Sequence, residues 1–155
     1  MNSSAPDVES DPRFPSGKWI GFWTDKRIQG RPKMELLLTF AKGEVHGEGR
    51  DYVGKFMIRG FYSTQDGKCR WTKKYIAKHD VFYQGFNEGK GIWGTWEITS
   101  ELHLGAHGGF HIWPEGMPDP SQPVLHAEAD IPVEAPEKPE PAPNKTEVGE
   151  PVAVP

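Results

Sequence analysis

The stretch "HLGAHGGFHIWPEG" carries three histidines, His103, His107 and His111, at spacings of four. On a helix, imidazoles at that spacing line one face, and such a set would bind zinc, copper or nickel. The segment is a poor helix, because Gly108 and Gly109 follow His107 and each glycine costs roughly 1 kcal/mol relative to alanine in a helix interior. "GGFHIW" alternates instead, with Phe110 and Ile112 on one face and His111 and Trp113 on the other. The expectation is a closing strand and no metal site, with His103, His107 and His111 kept as the alternative ligand set.

A second group consists of polar side chains among apolar neighbours: Arg59 in "FMIRGFY", Lys73 in "WTKKY", Glu97 in "GTWEI" and His111 in "FHIW". If the face opposite Phe56, Ile58, Trp96 and Phe110 turns inward, these four converge with Tyr83 in a lumen, the usual form of a small-ligand site. If it turns outward, they solvate the exterior, as charged residues usually do unless paired. Glu44, Glu48 and Asp51 could supply paired carboxylates for acid–base chemistry, although Glu44 and Glu48 share a strand face. Cys69 stands between Lys68 and Arg70, whose charges would lower its pKa if it were exposed, but no histidine close in sequence is its obvious base. There is no Gly-x-Ser-x-Gly elbow, no His-Glu-x-x-His and no glycine-rich loop opening a helix, so the chain does not read as an enzyme and no cofactor is expected.

What would position these residues is a repeated grammar between Ser16 and Pro114, in which short alternating apolar segments are punctuated by Gly, Asp, Asn or Lys turns. "KWIGFWT", "MELLLTF", "GEVHGEG", "KFMIRGFY", "KCRWTKKYI", "DVFYQGF", "GIWGTWEI" and "GGFHIW" give eight candidate strands. Alternation puts Ile20 and Phe22, Phe56 and Ile58, Trp71 and Tyr75, and Ile92 and Trp96 on common faces, as core candidates. Between the first two strands, "KRIQGRPK" leaves room for a short helix or a wide loop, since Gly30 and Pro32 interrupt any helix. Short, even connections favour an up-and-down meander, and closing it removes exposed edges. The predicted fold is all-β, an antiparallel up-and-down β-barrel of about eight strands.

Composition divides the chain. The body to Met117 has 16 Lys and Arg against 14 Asp and Glu, whereas Pro118 onward has 2 against 8, together the overall net charge of −4. The tail also carries 10 of the 15 prolines and no aromatic residue, too little apolar surface to offset ordering. The expected organisation is a disordered N-terminal arm over 1–15, a barrel over 16–116 and a disordered acidic Pro-rich tail over 117–155. A near-neutral body lacks the basic stripe of a nucleic-acid binder, and no apolar run approaches the roughly 18 residues of a membrane span. The start of the chain shows neither a basic segment nor an apolar run of the secretory kind. Cys69 is the only cysteine, and the expected setting is soluble, reducing and cytoplasmic.

The segment "GKWIGFW" resembles the Gly-x-Trp opening strand of the calycin superfamily, which includes lipocalins, avidins and fatty-acid-binding proteins. "FYQGFNEGKGIWGTWEI" is similar to the late hairpin of avidin-like and lipocalin-like barrels. The order of the motifs is similar, too, to the substrate-binding barrel of a cyclin-recognising F-box protein. The likeness spans roughly residues 16–115, and by it Trp19 matches the tryptophan that closes one end of a lipocalin barrel. Strand alternation adds Trp71 and Trp96 to Trp19 as structural aromatics, since an aromatic stripe of this kind reads as core. The function expected is non-enzymatic binding of a compact apolar or aromatic ligand in or at the mouth of the barrel, around Arg59, Lys73, Tyr83, Glu97 and His111. The alternative is a side-chain-filled barrel that docks a peptide or partner protein on its surface.

Overall fold

A computed structural model describes residues 8–100 and 105–122. Eight strands follow one another: β1 (Gly17–Thr24), β2 (Lys33–Ala41), β3 (Glu44–Asp51), β4 (Gly54–Tyr62), β5 (Lys68–Tyr75), β6 (Asp80–Asn87), β7 (Ile92–Glu97) and β8 (His107–Pro114). Each pairs antiparallel with the next, and β8 pairs with β1, so the sheet closes into an up-and-down barrel. No described residue is helical, and the β1–β2 connection is a loop in which the Asp25 carboxylate accepts from the Arg27 backbone and guanidinium. The two-residue β2–β3 hairpin, at Lys42-Gly43, has both residues at positive φ (53° and 82°), the geometry that matches the right-handed twist of two antiparallel strands.

Strict alternation sets the inside. Leu36, Leu38 and Phe40 of β2, Phe56 and Ile58 of β4, Trp71 and Tyr75 of β5, Ile92 and Trp96 of β7, and Phe110 and Ile112 of β8 are all buried. On β1 the expected face is inverted. Trp19 and Trp23 turn inward, while Ile20 and Phe22 are only half-buried on the outer side. Both faces of "KWIGFWT" are apolar, so periodicity could not choose between them; the two indoles have the larger area to remove from water.

One end of the barrel is closed by residues assigned from composition to a disordered arm. In the described part of that arm, Val8 bridges to Ala41 and Phe14 is fully buried against the rings of Phe40 and Tyr62, at 5.5 and 4.8 Å between centroids. Trp19 donates its indole N–H to Pro15 O (2.9 Å). Asn87 donates to Arg13 O (2.6 Å), and Arg13 donates to the carbonyls of Asn87 and Thr64. Glu9 accepts from the Tyr62 hydroxyl, which with burial pushes the phenol up to about 12. Low mean apolarity concealed this strap because a single phenylalanine does most of its packing.

A buried lysine and its surroundings in the barrel lumen

At the opposite end, β3 and β5 bring three polar side chains inside. Lys73 lies between Trp71 and Tyr75 on the inward face of β5 and is 1% exposed. Its Nζ donates to Asp51 Oδ2 at 2.9 Å, and Tyr75 Oη donates to the same oxygen at 2.6 Å. Asp51 Oδ1 accepts from the backbone N–H of Val53 (3.0 Å) and of Gly54 (3.4 Å), in the turn that Asp51 itself opens. Both members of the ion pair are shielded, with side-chain exposures of 2% and 0%. Around the ammonium stand the rings of Phe56 (4.6 Å), Tyr75 (4.9 Å), Tyr83 (5.2 Å) and Trp23 (5.9 Å). The Met34 Sδ, at 3.7 Å, is a weak further acceptor.

Burial pulls the Lys73 ammonium down to about 8 even though Asp51 opposes the shift. Burial and the bond to Asp51 raise the Tyr75 phenol well above its ordinary value, and burial beside Asp51 does the same to Tyr83. The lumen therefore holds a net-neutral ion pair close to neutral pH, with two phenols that keep their protons.

Aromatic side chains continue the wall on both sides of this pair. Trp71 stacks on Tyr83 (5.7 Å, 15°) and meets Phe110 edge-on. Trp23 stacks on Tyr52 (5.8 Å, 13°) and meets Trp96 edge-on, while Tyr52 is 71% exposed at that end. Trp96 donates its indole N–H to Thr24 O (2.9 Å). The indole N–H groups of Trp23 and Trp71 have no acceptor among the described residues. An unpaired buried donor costs about 1–3 kcal/mol.

The five predicted ligand residues do not converge. Lys73 and Tyr83 point inward; Arg59, Glu97 and His111 stand on the outer wall. Arg59 and Glu97 line an outer cleft of about 280 Å³ over β4–β7, together with Arg70, Thr72 and Phe82. A second outer cleft, about 510 Å³, runs over β2–β5 past Leu37, His46 and Met57. His111 sits elsewhere, in an outer row with Phe22, Trp93 and Trp113, and its Nε2 lies 2.6 Å from Lys90 O. Strand parity separates them: Lys73 is two residues from Trp71 and Tyr75, so it shares their inward face, whereas Arg59, Glu97 and His111 each neighbour an inward residue. Trp19, Trp71 and Trp96 are buried inside the barrel.

Other candidates resolve simply. Asp51 is on the inward parity of β3 with Val45, and the exposed Glu44 and Glu48 are on the other, so no carboxylate pair forms. "W-x-K-x-Y" on one strand, facing an aspartate of the same parity on another, was the available signal for the lumen triad. Cys69 is buried, donates to Gly67 O (3.6 Å), and is pushed up to about 12 by burial, so the flanking cations do not activate it. His107 and His111 share the outer face of β8, but four residues of strand separate them by about 13 Å, too far to share one ion. His107 instead lies 2.8 Å from its own Gly105 O; His103 lies outside the described residues. No protein-family model, curated protein or solved structure matches this chain.

Proposed function

We propose that this is a calycin-like, non-enzymatic barrel of a reducing compartment, such as the cytoplasm, that binds a compact aromatic ligand at the end bearing Trp23, Tyr52 and Asp51. The observation that carries the reading is the pair of buried, unpartnered indole N–H groups of Trp23 and Trp71 beside the Lys73–Asp51–Tyr75 cluster. A barrel needing only a filled core would have apolar side chains there, because a buried ion pair is often no more stabilising than hydrophobic residues of the same volume. Polar groups kept at that cost suit recognition. The parallel ring pairs Trp23–Tyr52 and Trp71–Tyr83 are flat surfaces against which an aromatic ring can lie. Support for the calycin-like part of the reading comes from the closed eight-stranded barrel and from Trp19, which is buried and donates its indole N–H to Pro15 O.

A panel of small aromatic compounds tests this by tryptophan fluorescence and thermal shift. Binding quenches emission and raises Tm for at least one member, and Trp23→Ala weakens it. No quench and no shift with any member rejects the reading. A second reading, surface docking of a peptide, is favoured by the outer clefts and by half-exposed Leu37, Met57 and Phe61 along them. It requires that Met57→Glu abolish binding while leaving small-molecule effects on Tm unchanged.

A further inference from the structure

The lumen's polar groups are unbalanced in a way that identifies the chemistry of a ligand. Asp51 is full: Oδ1 takes the N–H groups of Val53 and Gly54, and Oδ2 takes Lys73 and Tyr75. Trp19 and Trp96 have backbone acceptors. The two buried side-chain polar atoms left without a partner among the described residues, Trp23 Nε1 and Trp71 Nε1, are both donors. Their side chains belong to residues 8% and 4% exposed, on inward positions of β1 and β5. Indole offers a donor only, so what satisfies these groups must bring an acceptor. Lys73 adds to the same excess, since only a thioether and aromatic faces meet its ammonium besides Asp51.

Charge then narrows the class. The ammonium and the carboxylate already cancel within the lumen. A carboxylate ligand would bring an uncompensated negative charge into a low-dielectric interior next to Asp51, whereas a neutral carbonyl accepts from an indole with no such penalty. Resting on the ligand-site reading above, we propose that the barrel selects a compact aromatic compound carrying a neutral carbonyl, with its ring against the aromatic wall and its oxygen on the indole N–H of Trp23 or Trp71.

The test compares three probes of similar size on the full chain by calorimetry at neutral pH: acetophenone, ethylbenzene and benzoate. Acetophenone binds about tenfold or more tightly than ethylbenzene, as expected when a buried donor gains its acceptor, and more tightly than benzoate. The carbonyl stretch of bound acetophenone moves to lower frequency. In Trp71→Phe or Trp23→Phe, or in both together, the preference over ethylbenzene collapses while ethylbenzene binding is kept. The infrared shift in the unaltered protein needs no variant, so a variant that fails to fold does not blunt the test. Equal binding of acetophenone and ethylbenzene, or an unshifted carbonyl band, overturns the carbonyl assignment and leaves the ligand site standing. Tighter binding of benzoate overturns neutrality as the selecting feature. Absence of binding by all three overturns both the assignment and the ligand site.

Discussion

Lys73 and Asp51 are worth more to the fold together than either is alone. Asp51→Asn leaves the ammonium enclosed by aromatic rings with no counter-ion, and removing one partner of a buried pair costs about 3–5 kcal/mol. Urea unfolding should show that loss, and the double variant Asp51→Asn/Lys73→Met should recover part of it, because no charge is then stranded. Lys73 also imposes a pH signature. Its folded pKa, about 8, lies below its ordinary value of 10.5, so over that interval the unfolded chain binds more protons and stability rises with pH. The contribution is complete above 10.5 and is lost as pH falls through 8. The raised pKa values of Cys69, Tyr75 and Tyr83 act in the opposite sense at higher pH. The stability of the protein relative to Lys73→Met removes those shared terms and should climb from about pH 8 upward; a flat difference across pH 7–10 would disprove a buried, depressed lysine.

At the scale of elements, the strap over residues 8–16 and the glycines of the wall matter most. Phe14 is fully buried between Phe40 and Tyr62, so Phe14→Ala should cost about 3–5 kcal/mol in chemical denaturation, a large effect for a residue outside every strand. Gly94 in β7 faces Gly85 in β6, and a Cβ on Gly94 would collide with the Gln84 carbonyl and the Gly85 Cα. Gly94→Ala must therefore push two strands apart, with an expected loss of about 1–3 kcal/mol in the same assay. Its backbone is not at positive φ, so the loss is steric and arises from close strand approach. The eight strands were legible almost residue by residue, because their connections carry a glycine, asparagine or aspartate within or beside the turn. The strap was not: "VESDPRFPS" has no period, and only the neighbouring Phe40, Tyr62 and Asn87 give Phe14 and Arg13 a place.

For the whole molecule, closure joins the first strand to the last, with Trp19 to Thr24 of β1 paired against Gly109 to Pro114 of β8. Ordering a contact of that sequence separation before it is rewarded makes folding slow, and stopped-flow refolding should fall in the millisecond-to-second range typical of β-barrels. A microsecond phase carrying the full amplitude would be inconsistent with a closed meander. The sequence by itself determined the number of strands, their order and the up-and-down connections, because alternation and turn chemistry are local and survive in any surrounding. It also marked Lys73, Tyr83 and the three structural tryptophans as residues of interest. Only the tertiary structure decided which face of β1 is inside, that Arg59, Glu97 and His111 stand on the outer wall, and that Asp51 is the partner of Lys73. Those outcomes depend on the register between strands some twenty residues apart and on which side chains the closed barrel has room to bury, and neither is encoded in the period of a single strand.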